Sequence, residues 1–293
     1  MKYQFMKNHK DEFKIERMSN VFKVSRSGYY DFIVRKPSNR AQENDRLLDK
    51  IKNSYQNSRK TYGSPRVYSE LRASGEMCSR KRVARIMKEH GMTARMKKRF
   101  KVTTKVNPNE VPAPNLLNQS FVAKEPNQRW VADFTYVDTK EGWLYVAAVM
   151  DLFSRRIVGL AMSDRMNDGL VIAALQQALI HRHPDAGLLH HSDRGSQYSS
   201  KDFRRLLTKY YIVASMSGTG NCYDNAVIES FFHTLKTEHI YFEQYESREQ
   251  AKCSIFEYVE VFYNRKRLHS TLKYMSPVVF EKQWQQEVGS FSS

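Results

Sequence analysis

The chain has 293 residues, 41% apolar and 12% aromatic, enough for a buried core and too many for a disordered chain. Its 48 Lys and Arg against 31 Asp and Glu give a net charge of +17, and the excess is one-sided: residues 1–106 hold 28 basic and 10 acidic side chains, residues 107–293 hold 20 and 21. No apolar run nears the roughly 18–20 residues of a membrane span, the first ten residues lack the apolar stretch of a secretory signal, and Cys78, Cys222 and Cys253 lack the spacing of a disulfide framework or zinc site. A soluble cytoplasmic protein with no membrane partner is expected.

At about 150 residues per domain the length suggests two domains, and the first reads as helical throughout. Asp11–Val24 is amphipathic, with Phe13, Met18, Val21 and Phe22 on one side, and Val24-Ser-Arg-Ser-Gly-Tyr-Tyr starts a further short helix. Glu43–Gln56 carries Leu47, Leu48, Ile51 and Tyr55 at helical spacing. Ser64 is placed as the N-cap of the next helix, with Pro65 in its first turn. Ser79–His90 follows Gly75, with Val83, Ile86 and Met87 inward and Gly91 as its stop. Its outward side presents Arg80, Lys81, Arg82, Arg85 and Lys88. Two short helices about a glycine-containing turn, the second strongly basic, predict a helix-turn-helix that binds DNA through these cations. The alternative is a solvated basic face on an ordinary helical bundle. A net +18 over residues 1–106 favours nucleic acid.

Val106–Gln119 holds Pro108, Pro112 and Pro114 and coincides with the charge break, so it reads as an exposed linker. Beyond it the period changes. Arg129–Val137, Trp143–Leu152 and Ile157–Met162 predict an antiparallel meander. Asn167–His181 predicts a helix with Leu170, Ala173, Ala174, Ala178 and Leu179 facing inward. Leu188–Ser192 and Ile212–Met216 read as strands flanking a helix at Lys201–Lys209, and helices follow at Asp224–His239 and Arg248–Arg265. The sum is an α/β fold around a mixed five-stranded sheet, preceded by an all-α region.

Three carboxylates in this second region need an explanation. Asp133 sits mid-strand in Trp130-Val-Ala-Asp-Phe-Thr-Tyr-Val, where an ionised group is costly unless compensated. Asp193 follows a buried-looking strand in Leu188-Leu-His-His-Ser-Asp-Arg-Gly, the strand end at which open α/β sheets place ligand groups. Glu229 lies on a helix beside Ile228, Phe231, Phe232 and Leu235, and Lys236, seven residues on, projects from the same side. Taken singly, each fits a solvated strand, turn or helix residue. Together, with 59 and 35 intervening residues, they can meet at one sheet edge. Oxygen-only ligands suit Mg²⁺ or Mn²⁺, and such carboxylates can hold two ions that clamp a phosphodiester. His190 and His191 have no third ligand at zinc spacing and point to opposite faces. Asp151 reads as a structural cap of the turn to Arg155 and Arg156, and Gly218-Thr-Gly-Asn as a flexible loop that could close over DNA.

Val24-Ser-Arg-Ser-Gly-Tyr-Tyr, Tyr62-Gly-Ser-Pro-Arg-Val, the Asp133 strand, Asp151-Leu-Phe-Ser-Arg-Arg-Ile-Val-Gly, His191-Ser-Asp-Arg-Gly-Ser-Gln-Tyr, Asn221-Cys-Tyr-Asp-Asn-Ala-Val-Ile-Glu-Ser-Phe-Phe and Tyr263-Asn through Arg267-Leu-His to Ser276-Pro occur in that order. In these fragments the chain resembles the OrfB-type DDE transposases of bacterial insertion sequences in the insertion-sequence-three group, relatives of retroviral integrases. The resemblance implies an RNase H-like catalytic core whose metal-binding triad is Asp133, Asp193 and Glu229, with Lys236 on phosphate. It also implies action on terminal inverted repeats and target DNA, as a homo-oligomer on DNA, with an upstream-frame OrfA product or fusion as a further partner and the nucleoid as the site of action. The expected layout is a helical segment 1–42, a helix-turn-helix-like domain 43–105, a linker 106–120, the core with its C-terminal helices 121–282 and a tail 283–293. Another RNase H-like nuclease, or a catalytically inactive DNA-binding repressor derived from a mobile element, are the rival functions.

Overall fold

Six helices precede the sheet in the computed structural model, which describes residues 1–96, 113–218 and 222–291. They are α1 (Lys2–Asn8), α2 (Ile15–Phe22), α3 (Arg26–Val34), α4 (Asn39–Asn57), α5 (Ser64–Ala73) and α6 (Arg80–Glu89). Side-chain caps set several starts: the Ser25, Ser38 and Ser79 hydroxyls accept the amides of Gly28, Ala41 and Arg82. Gly63, and not Ser64, is the N-cap of α5; Ser64 is already helical, with Pro65 in the first turn. Phe13 and Val21 are exposed although the amphipathic pattern placed them inward, and only Met18 of that set is fully buried, against Met6 and Tyr29. The cause is α1, whose alternating charge and aromatics hid a helix that covers Met18 from the other side.

The chain then reverses twice and crosses over twice. β1 (Arg129–Val137), β2 (Leu144–Asp151) and β3 (Ile157–Ser163) form an antiparallel meander. α7 (Asp168–Arg182) crosses to β4 (Leu189–Ser192), and α8 (Ser196–Ser199) with α9 (Lys201–Lys209) cross to β5 (Val213–Met216). β4 and β5 add in parallel beside β1, giving the order β3-β2-β1-β4-β5, the mixed sheet expected of an RNase H-like core. α10 (Ala226–Glu238), α11 (Arg248–Glu257), a π-helical stretch at Tyr258–Tyr263 and α12 (Pro277–Phe291) complete the chain. α12 continues past residue 282, and the loop residues 219–221 lie outside the described residues, as does the proline-rich stretch up to 112.

Alternation along the strands builds two cores. Trp130, Ala132, Ala147 and Val149 face α7 and α9, packing on Leu170, Val171, Ala174, Leu175 and Phe203. Ala173 is exposed, and Val171 and Leu175 take the inward places. A Cβ at Gly159 would collide with the Ala174 carbonyl, so a bare glycine lets α7 lie tight on β3. Val131, Val146, Ala148 and Met150 face the other way, onto Ile228, Phe231 and Leu235 of α10. That second core does not stop at the linker: it runs on through Leu47, Ile51, Val67, Val83 and Ile86 of the N-terminal helices. The linker's end is bound as well. Leu117 is buried, Met216 donates its amide to the Pro114 carbonyl, and the Ser215 hydroxyl accepts the amides of Leu116 and Leu117.

Polar contacts fix the seam between the helices and the core. Buried Tyr62 donates its hydroxyl to the Lys266 carbonyl and accepts the Leu268 amide at 2.7 Å. Arg59 pairs with Glu257 at 2.7 Å and lies over the Phe262 ring. Glu238, at the end of α10, receives both arms of Arg267 (2.8 and 2.7 Å), the Tyr258 hydroxyl and Arg66 of α5 (3.5 Å). Burial would raise its carboxyl, but the Arg267 and Arg66 cations hold it below the usual range. A second buried knot forms where Glu281 of α12 takes Arg182, Arg156 and the Ser154 hydroxyl. Asp151 beside it accepts the amides of Asn127 and Phe153 and pairs with Arg182, so it does cap the turn, with a cationic partner from α7.

Two stability outcomes follow. Glu238→Gln leaves two guanidiniums without their acid and should cost about 3–5 kcal/mol in denaturant titration, whereas Lys140→Ala, removing an exposed partner of Glu246, should cost at most about 1 kcal/mol. A loss from Glu238→Gln no larger than that from Lys140→Ala would refute the anchoring role. Burial lowers His190, His239 and His269 from 6.5 to about 3, 4 and 2. The unfolded chain takes up these protons below its ordinary histidine range while the fold refuses them. Their contribution is therefore full above that range and falls as pH drops towards the lowered values. Proton uptake on unfolding near pH 5 should approach about three per chain from these groups; a stability that does not change between neutrality and that pH would contradict it.

Candidate active site and nucleic-acid interface

The parallel ladder of β1 and β4 ends at the pair Val131↔His191, and Asp133 and Asp193 each lie two residues beyond it. Both aspartates thus come to one end of the sheet on adjacent strands. Each is half-buried and holds its carboxyl by one short local bond: Asp133 Oδ1 accepts the Phe134 amide at 2.8 Å, and Asp193 Oδ1 accepts the Gly195 amide at 2.9 Å. Gly195 suits this turn, since a Cβ there would press on Asp193 Oδ1 at 3.0 Å.

α10 brings Glu229 and Lys236 within electrostatic reach of Asp133. Its start is pinned to β1 by Asn225, whose amide donates to the carbonyl of Ala132, the residue before Asp133. Glu229 is exposed, and Lys236 lies half-buried with its ammonium 5.1 Å from the Tyr136 ring centroid. Burial pushes Asp133 well above the ordinary carboxylate range, Asp193 and Glu229 push it further, and the Phe134 amide and Lys236 oppose them. Asp193 is also raised, chiefly by burial; Glu229, although exposed as a residue, is raised by the protein that desolvates one side of its carboxyl and further by Asp193. Lys236 is lowered by burial, with Tyr136 and Asp133 opposing. The four residues singled out from sequence therefore share one electrostatic field. Among the described residues, no group of three or more His, Cys, Asp and Glu stands together closely enough to enclose an ion as placed.

The histidines beside Asp193 take no part in it. His191 is buried between the Ser215 and Ser217 hydroxyls at 2.8 and 3.2 Å, and His190 packs on Phe203. Residues not assigned a role from sequence also belong here. Asp224 accepts Asn115, Gln119 and the Gly218 amide, fastening the linker's end and the exit of β5 beside the start of α10. Tyr198, fully buried, lies near enough for Asp133 and Asp193 to raise its hydroxyl. Asn225 and Tyr198 lie inside motifs already quoted, but nothing in their spacing signals a buried amide or hydroxyl.

The cations expected to meet DNA divide on α6. Arg80, Lys81 and Lys88 are exposed. Arg82 turns back onto α4, donating to Asn44 at 2.8 Å and Glu43 at 3.2 Å, and Arg85 pairs with Glu89 one turn on. The α5–α6 turn rests on Gly75, at φ +85°, and on Glu76, whose carboxylate takes Arg46 and Lys50 of α4. No described helix is long and apolar enough to cross a membrane.

Residues 42–100 match the family described as HTH-like domain, and residues 123–222 and 229–284 match families described as Integrase core domain. The chain is 46% identical over 269 residues, covering 92% of it and 99% of the relative, to the insertion element IS600 uncharacterized 31 kDa protein of Shigella sonnei. It is 41% identical over 283 residues, 96% of this chain and 98% of the relative, to the transposase InsF for insertion sequence IS3A of Escherichia coli strain K12. A solved simian T-cell lymphotropic virus intasome, in complex with a PP2A regulatory subunit, aligns with 80% of this chain and 73% of its own at 15% identity and TM-score 0.46. With both curated relatives matched over nearly their whole length, the chain belongs to the IS3-type transposases that carry a helix-turn-helix-like domain and an integrase core.

Proposed function

We propose that this transposase cuts and joins DNA strands at the ends of an insertion sequence through Asp133, Asp193 and Glu229, which together hold divalent cation. The observation that carries the reading is the gathering of acids about Asp133: a half-buried carboxyl held by one local amide, raised by burial and by two further acids, with one lysine opposing them. Such a cluster fits a hard cation with oxygen ligands, Mg²⁺ or Mn²⁺, and has no thiolate or imidazole that would select zinc. Bound there, one or two such ions would supply positive charge to the attacking and leaving oxygens and make the nucleophile more acidic.

The chain's own groups do the rest. Strands β1 and β4 hold the two aspartates on a rigid base, and α10 presents Glu229 opposite them, tied to β1 through Asn225. Lys236 offers its ammonium to a phosphate beside the cut, a contact that positions backbone and reads no base. The nucleophile is water for cleavage and a DNA 3′-hydroxyl for joining, so no side chain needs to bond covalently to DNA. The exposed cations of α6 grip duplex phosphates, and two or more copies act on paired ends, with an upstream-frame product or fusion supplying further recognition.

Asp133→Asn, Asp193→Asn and Glu229→Gln should each lower cleavage and strand transfer of an element-end duplex by about a thousandfold or more while leaving DNA affinity nearly intact; normal strand transfer by any of them would overturn the assignment. On α6, Lys81→Ala should weaken duplex binding evenly across sequences and reduce the salt slope by about one. Arg82→Ala should instead lower stability, since its partners are Asn44 and Glu43. A salt slope changed by Arg82→Ala and untouched by Lys81→Ala would reverse that division.

A further inference from the structure

Arg155 is a half-buried cation with no carboxylate. The other arginines around it have one: Arg156 and Arg182 meet Glu281, and Arg66 and Arg267 meet Glu238. Arg155 makes no side-chain hydrogen bond or ion pair among the described residues, and burial lowers its pKa with only Tyr263 opposing. Its backbone is left-handed, at φ +60°, and its amide is held by the Asp151 carbonyl at 2.8 Å, so the turn after β2 holds the residue in a conformation that side chains disfavour.

This residue lines a cavity of about 410 Å³ between α5, the end of β2, α10 and the chain after Tyr263. Arg66, Arg155 and Arg267 meet there with the hydroxyl-bearing Ser230, Thr234 and Ser270. Three guanidiniums line the cavity against one paired carboxylate, Glu238, and burial first, then the field of Arg267, Arg66 and Arg155, lowers the pKa of the neighbouring His269. Guanidinium forks beside hydroxyl donors make an environment for a tetrahedral oxyanion. The cavity's wall is α10 itself: Ser230 follows Glu229 and stands roughly 100° round the same helix. An anion held there lies beside the carboxylate cluster and not within it.

We propose that this cavity is a subsite for a backbone phosphate of bound DNA, with Arg155 as its principal ligand. The inference rests on the DNA-processing reading above and adds a contact to it. It places a phosphate on the seam where the helix-turn-helix, through Arg66, meets the helix that carries Glu229. A strand held by α6 and cut at the carboxylates would be fixed at a third point between them.

The test uses the full chain carrying Asp133→Asn, so that DNA is bound and not cut, and any duplex serves because phosphate contacts ignore sequence. Adding Arg155→Gln should weaken binding about tenfold at moderate salt and lower the salt slope by about one. Unchanged affinity and slope in a variant with an unaltered melting transition would overturn the subsite. Should Arg155→Gln fail to fold, the unsubstituted protein decides: an arginine-selective dicarbonyl should modify Arg155 in the free chain, and duplex DNA should protect it. Equal modification with and without DNA refutes the proposal, as does protection by inorganic phosphate as complete as that by DNA at equal phosphate concentration. Failure of the catalytic reading registers elsewhere, as strand transfer surviving in Asp133→Asn with Arg155 intact.

Discussion

Parallel pairing of β1 with β4 forces two like charges together, because the register that buries Val131 and His191 carries Asp133 and Asp193 to the same end of the sheet. At the lowered effective permittivity of a half-buried site, like-charged carboxylates repel more strongly than in water. A fold keeps that arrangement only if the surrounding packing over-determines it. Here both sheet faces are covered, by α7 and α9 on one side and α10 on the other, and a one-residue slip would send every buried strand residue into the opposite core, which it does not fit. The strain is thus held by hydrophobic burial, and the carboxylates stay short of positive charge. On the proposed reading, that shortage is what a bound cation would relieve.

The cations elsewhere are distributed to match. Counted over the sequence, the excess positive charge lies before residue 107, and the remainder is nearly neutral. The structure divides these charges further. Arg59 and Arg66 pair with acids of the core and weld the N-terminal helices to it, while Arg82 ties α6 to α4. Arg80, Lys81 and Lys88 stay exposed on α6. A shared apolar core and the Glu238 knot join the N-terminal helices to the sheet, so on the proposed reading a phosphate held at one would have its distance and angle to the other set. Proximity of this kind is worth more to catalysis than added affinity.

Much of this was legible in the sequence, for physical reasons. Period-two runs of Val, Ala and aromatics gave the strands to within a residue or two, and Lys201–Lys209 was read with the bounds it has. Asp133 stood out because a charge in a strand needs a reason. What escaped were features set by partners far away in sequence. Arg82 looks like any outward cation until Asn44 and Glu43 reach it from α4. Proline and asparagine after Val106 read as a free linker, yet Leu116 and Leu117 are tied by Ser215, a residue about a hundred positions on. Glu238 and Glu281 carry no motif, since what marks them is burial among arginines brought in from α5, α7, the turn between β2 and β3 and the chain after Tyr263. α1 was missed because its apolar residues cover a small satellite core, leaving most of its length polar.

We propose that the carboxylates just beyond the β1–β4 ladder form a cation site shared with α10. It is tested most directly by Mn²⁺ binding to the full chain bound to cleaved end DNA, with the metal located by anomalous scattering. Manganese density is expected among Asp133, Asp193 and Glu229, and its loss is expected in Asp133→Asn. Manganese at His190 or His191 instead, or binding unaffected by Asp133→Asn, would contradict it.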